Sequence, residues 1–195
     1  MIEDRVSAVR DSSLRQSLKV STLARHEALD RQFGALDLHQ RKDFTRFLAA
    51  HAMGLEVVHG ELERFAKHEL GEPVPDLLSM IREDLADMGQ GLPVAPAKPM
   101  RSEHPAGVAY VVCGSRLGLA QLCREGYWGA EHGLAQRYME DRETLALWRS
   151  LVGWLSERPG DGPEAELTAA AASAGFDAFS QAFSASGRPV DIAAR

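Results

Sequence analysis

Phe44, Leu48, His51, Leu55, Val58, Leu62 and Phe65 follow one another at alternating steps of four and three. That rhythm places all seven on one side of a single long helix. A strand would require alternation by two, so the stripe rules out a sheet through this stretch. A helix that is apolar along its whole length must be covered by other helices. The second start signal, at Asp37, sets the expected beginning of this helix, and Gly54 and Gly60 are the places where it would bend.

The remaining chain repeats the helical period. Ser13 with Gln16 three residues on reads as a capping box. It opens a first helix carrying Leu14, Leu18, Leu29 and Phe33, with Gly34 as its stop. Pro75 and Asp76 open a third helix with Leu77, Leu78, Ile81, Leu85 and Met88 inside. Residues 89–105 are rich in Gly and Pro and lack any period, which predicts a long loop. A helix over 105–125 follows, then helical segments over 128–139 and 143–156. The last helix starts near Pro163 and packs Phe176, Phe179 and Phe183. The expectation is an all-α, single-domain compact bundle of six to eight helices over residues 1–195. Its core spans 11–186, with 1–10 and 187–195 as frayed tails.

The 195 residues suit one sizeable core and are few for two. A net charge of −6 with no Lys/Arg block argues against nucleic acid as a partner, since phosphate backbones are bound through basic patches. It argues against an anionic membrane surface as well. The N-terminal residues lack the apolar segment of a secretory signal, and no run reads as a membrane span. The two cysteines, Cys113 and Cys123, lie ten apart on one expected helix and on different faces, so they read as reduced thiols. A cytoplasmic protein is the expectation.

On a helical wheel His26 falls about 20° beyond Phe33, at the margin of the first helix's apolar face. Asp30 stands one turn later, within reach of the second imidazole nitrogen. Lys19 stands two turns earlier, roughly 10 Å along the axis. A neutral imidazole can ligate haem iron, the acid can fix its tautomer, and the lysine can meet a propionate. A packed histidine is the commoner reason for such a position, so spacing alone does not decide.

The segment from Tyr110 to Leu122 adds a second constraint. Gly114 and Gly118 sit four apart within a helical run, and each costs about 1 kcal/mol relative to alanine. Together they strip one face of side chains. Either a flat ligand approaches the backbone there, or another helix crosses closely through a small-residue seam.

These two segments carry a resemblance. Leu18–Lys19–Val–Ser–Thr22–Leu–Ala–Arg–His26, with Asp30 beyond, resembles the first helix of the haem oxygenase family. Tyr110 to Gly118, with its Gly114–Ser115–Arg116–Leu117–Gly118 core, is similar to the distal helix of the bacterial members, including those encoded beside bacteriophytochromes. The order of the segments and the closing phenylalanine helix agree.

The resemblance implies a haem-oxygenase-like fold and an enzyme that opens haem to biliverdin with release of CO and iron. O2 would be consumed, and a ferredoxin or a flavoprotein reductase would supply electrons. A bacteriophytochrome is an implied receiver of biliverdin. Residue by residue, His26 is implied as the iron ligand, with Lys19 as a propionate partner and Thr22 beside them. Gly114, Ser115 and Gly118 are implied as distal backbone. Tyr110, Arg116 and Leu119 complete the implied cofactor contacts.

Two departures stand out. Ser115 occupies the position of an aspartate in animal members, and Leu119 stands where many members have a second glycine. The leucine leaves open a narrower pocket, a shifted site of ring opening, or weaker haem binding. No basic residue on the last helix offers itself to a second propionate; Arg116, Arg124 and Arg137 are the alternatives.

Two rivals remain in view. One keeps the fold without turnover, as a haem-binding carrier or interaction protein. The other is a di-iron carboxylate site built on Glu56–Val–Val–His59, but only one copy of that motif exists and Val58, rather than Glu56 or His59, falls in the apolar stripe. His104 reads as an exposed loop residue. Trp128, Trp148 and Trp154 read as core.

Overall fold

The computed structural model describes residues 13–187, all helix and connection with no strand among them. The expected tails lie outside these residues, apart from Gly187, which caps the last helix. Among the described residues seven α-helices form the bundle: α1 Leu14–Phe33, α2 Arg41–Phe65, α3 Leu77–Asp87, α4 Pro105–Glu125, α5 Trp128–His132, α6 Glu143–Ser156 and α7 Pro163–Ser186.

Helix α2 is the spine, as its stripe demands. Phe44, Leu48, Leu55, Val58, Leu62 and Phe65 are buried, with His51 among them. It begins at Arg41 rather than near Asp37, because the Asp37 carboxylate accepts the His39 N–H and holds a turn before the helix. It runs unbroken past Gly54 and Gly60, and the irregularity comes at its end. Ala66–Leu70 wind as a π turn, closed by Gly71 in the left-handed region at φ 67°.

Local signals set the other ends. The Ser13 hydroxyl accepts the Gln16 N–H at 3.4 Å, and Leu14 N–H reaches the Arg158 carbonyl at 2.8 Å, which ties the start of α1 to the α6–α7 connection. Asp76 caps α3 by accepting from Ser79 N–H at 2.9 Å. The loop over 88–104 is fastened to α2: Met100 N–H donates to the Val57 carbonyl, and Ser102 N–H donates to the buried Glu61 carboxylate, which also holds Arg64.

The helical expectation over 128–139 is met only to His132. Gly133 and Ala135 adopt left-handed φ values of 66° and 53°, and the chain leaves the helix there. Its next N–H groups find another acceptor. Asp84 of α3, fully buried, takes those of Arg137 and Tyr138 at 3.2 and 2.8 Å and pairs with the Arg137 guanidinium at 3.1 Å.

Helix α7 closes the bundle against α1, α2 and α4. The tightest approach is at Gly107 of α4, where a Cβ would stand 2.1 Å from the Thr168 carbonyl oxygen and 2.7 Å from the Ala172 nitrogen. Only glycine fits there. Gly54 meets α7 in the same way, its would-be Cβ 2.4 Å from the Phe179 ring. Contrary to the sequence expectation, α4 is long and apolar enough to cross a membrane, yet half of its apolar window is buried within the bundle.

Candidate functional site

A cleft of about 380 Å³ opens between α1, α2, α4, α6 and α7. Helix α1 contributes His26, Leu29, Asp30 and Phe33, and α2 contributes Phe47 and His51. Helix α4 lays Tyr110, Val111, Gly114, Ser115, Leu117, Gly118, Leu119 and Leu122 along the other wall. Trp148 of α6 and Phe176 and Phe179 of α7 complete it. The volume and the apolar, aromatic lining with a few placed polar groups are those of a small-molecule site.

His26 stands at the mouth, its side chain 58% exposed. Its Nδ1 is 2.9 Å from the Asp30 carboxylate one turn along α1, and its ring packs edge-on to Phe176 with centroids 5.8 Å apart. Asp30 thereby fixes the tautomer that leaves Nε2 with a lone pair, the state in which an imidazole binds a metal. The sequence anticipates this pair from its spacing.

Gly114 and Gly118 line the same cleft, and the structure separates the two readings of their spacing. A Cβ on Gly118 would meet nothing within 4 Å, and one on Gly114 would meet only the Trp148 ring, at 3.5–3.6 Å. Neither glycine carries a helix crossing. The close seam of α4 lies instead at Gly107 and at Gly175 of α7, whose Cβ would press Val111 at 3.3 Å. The fold makes no demand for glycine at 114 and 118, so their helix-propensity cost is unexplained by packing.

Ser115 donates its hydroxyl to the Val112 carbonyl at 2.7 Å, so toward the cleft it offers lone pairs. Tyr110 packs on Trp148 with ring centroids 5.7 Å apart, and burial pushes its phenol above the usual range, with Thr22 and Arg15 working the other way. Leu119 is almost wholly buried and shows the cleft only an edge.

Three expected cofactor contacts lie elsewhere. Arg116 is a correction: its guanidinium turns into the core, donates to the Tyr138 carbonyl at 2.9 Å and lies 4.2 Å over the Tyr138 ring. Its Nε stops 3.9 Å from the buried Asp141 carboxylate. Thr22 is buried and donates to the Leu18 carbonyl at 2.7 Å, and Lys19 is exposed on α1 outside the cleft lining. The substitutes for a second propionate fare no better. Arg137 is held by Glu83, Asp84 and Asp87, and Arg124 by Gln121.

Other residues join the site unannounced. Trp148, expected in the core, is half-buried and forms part of the wall. His51, expected only as a member of the apolar stripe, is a lining residue. His59 is buried rather than solvated, its Nε2 3.4 Å from the Pro75 carbonyl oxygen. Among the described residues no three His, Cys, Asp or Glu side chains converge as a metal site, which leaves the di-iron reading without support. Cys113 is buried, with its thiol pushed up to about 12, and Cys123 is half-buried; both are free. A larger, more open groove at the end of α2, about 640 Å³, is lined by Glu63, Arg64, Lys67 and His68 and lacks aromatic walls.

A scan against protein-family models finds no match for the chain, and a search of curated proteins finds none either.

Proposed function

We propose that this protein is a haem oxygenase: it binds haem in the cleft through His26 and opens it to biliverdin, CO and iron. The observation that carries the reading is the pairing of His26 with Gly114 and Gly118 on facing walls of one aromatic cleft. The glycines are bare where the fold does not require it, and a flat macrocycle is the ligand that uses bare backbone.

Haem, as the substrate, supplies the oxygen chemistry once reduced by an external donor such as a ferredoxin or flavoprotein. The chain's part is to hold and steer. Asp30 holds His26 Nδ1 and so leaves Nε2 as the nitrogen that would coordinate. The backbone at Gly114 and Gly118 would set how close a flat ligand can approach that wall. Phe33, Phe176, Phe179 and Trp148 would exclude water from the apolar periphery of the ligand.

The test is a titration of purified protein with hemin, followed by a reductant in air with catalase present. A saturable one-to-one spectrum that bleaches to biliverdin, and that His26→Ala abolishes, is the expected result. Stable binding with no bleaching, even with a ferredoxin system, would make the protein a haem carrier. No binding would overturn the reading.

A further inference from the structure

His51 lines the cleft while only 7% exposed, and the reading above gives it no task. Its Nδ1 lies 2.9 Å from the Phe47 carbonyl oxygen one turn back, and since a carbonyl only accepts, Nδ1 carries the proton. Nε2 is therefore an acceptor, and among the described residues none donates to it. The rings of Phe47, Phe33, Tyr138 and Phe179 surround the imidazole with centroids 4.2, 4.6, 5.5 and 5.9 Å away. Burial, opposed by the bond to Phe47 and helped by the Arg116 charge, lowers the imidazole pKa to about 4, so the acceptor persists at ordinary pH. While the cleft is empty, solvent meets this nitrogen. A ligand that fills the cleft displaces the solvent and must then donate to Nε2 itself or leave it stranded. That cost separates ligands with a donor from ligands without one.

We propose that His51 distinguishes product from substrate: its Nε2 accepts a pyrrole N–H of iron-free biliverdin, a bond that haem has no group to make. The proposal rests on the haem reading for the identity of both ligands. In haem every ring nitrogen is bound to iron, the rim carries only C–H bonds, and the propionates are ionised acceptors. No donor then faces Nε2. Once the ring is open and the iron has left, pyrrole nitrogens carry protons, and the opened chain can twist to present one to the wall. The two histidines therefore act in turn. His26, at the mouth and paired with Asp30, holds the ligand through iron and loses that hold when the iron departs. His51, enclosed by four aromatic rings, gains its bond only then.

The test is direct binding, without turnover. Biliverdin and hemin are each titrated into the parent, His51→Leu and His51→Gln, with ligand absorbance and tryptophan fluorescence as readouts. The parent should bind both. His51→Leu should bind biliverdin about tenfold more weakly and hemin no less tightly, because leucine removes a partner for one ligand and a stranded acceptor for the other. His51→Gln, whose amide oxygen accepts, should keep biliverdin affinity within about threefold of the parent. Unchanged biliverdin affinity in His51→Leu would overturn the proposal. So would an equal loss for hemin and biliverdin, which is what a packing role alone produces. A parent that binds hemin but not biliverdin would overturn it and leave the haem reading intact. A parent that binds biliverdin but not hemin would sink the haem reading, and the loss in His51→Leu would still decide the N–H contact. Binding of neither ligand would remove both.

Discussion

The His26 Nδ1 atom lies 2.9 Å from the Asp30 carboxylate, one helical turn away on the same wall of the cleft. This pair makes the tautomer of the proposed iron ligand a matter of sequence spacing. Replacing Asp30 with Ala frees the ring to rotate and change tautomer, and should weaken hemin binding about 10- to 100-fold. If His26 is the ligand as proposed, His26→Ala should abolish the ligand-dependent Soret spectrum. Spectral titration of both variants measures this, and undiminished affinity in His26→Ala would exclude it as the ligand.

Two glycines on one helix should respond in opposite ways. Gly118→Ala adds a methyl to open space and improves helix propensity, so the ligand-free protein should gain about 1 kcal/mol in urea unfolding. The same methyl should impair hemin binding or turnover. Gly107→Ala drives a Cβ into the α7 backbone and should destabilise the fold by several kcal/mol, about 3 or more. Equal unfolding curves for the two variants would refute the distinction.

Asp84 tests what holds the irregular stretch behind α4. Its buried carboxylate accepts two consecutive backbone N–H groups and one guanidinium, and burial raises its pKa above the usual carboxylate value despite those bonds. Asp84→Ala strands all three donors and should cost about 2–3 kcal/mol, read from chemical denaturation. A loss below about 0.5 kcal/mol would mean that the stretch is held by its apolar residues alone.

Stability should fall with acid because of His51. Unfolded, the imidazole takes its proton near 6.5, whereas in the fold burial first, then the Arg116 charge, lowers the value to about 4. Across that window the unfolded state binds the extra proton, so stability declines as pH drops from above 6.5 toward 4, by on the order of 3 kcal/mol. Burial pushes the Tyr138 phenol, whose ring faces the imidazole, further up and out of that range. His51→Gln should flatten this part of the profile. A parent profile already flat there would contradict the assigned burial.

Periodicity carried most of the fold. The stripe on α2, the caps at Ser13 and Asp76 and the extent of α4 follow from local chemistry acting within one element. Residues 133–142 were illegible because two of their backbone donors, at Arg137 and Tyr138, are satisfied by Asp84, some fifty positions away, which no local pattern reports. The site divides in the same way. His26, Asp30 and the two cleft glycines lie at fixed spacings within single helices. His51 and Trp148 carry the same apolar spacing as their buried neighbours, and only the packing of several helices leaves them at a wall rather than inside. Arg116 misled because its motif position says nothing of which side of α4 it occupies.

The burial of α1 is uneven. Leu14, Leu18 and Thr22 are its only fully covered residues, and all lie in the half before His26. From His26 onward the helix rests on half-buried Leu29 and Phe33, both of which face the cleft. A flat apolar guest laid against that half would supply the contacts a core normally provides, so the ligand becomes a missing layer of the protein's interior. Amide protons from about residue 26 to 33 should then exchange quickly in the free protein and slow sharply once the cleft is filled.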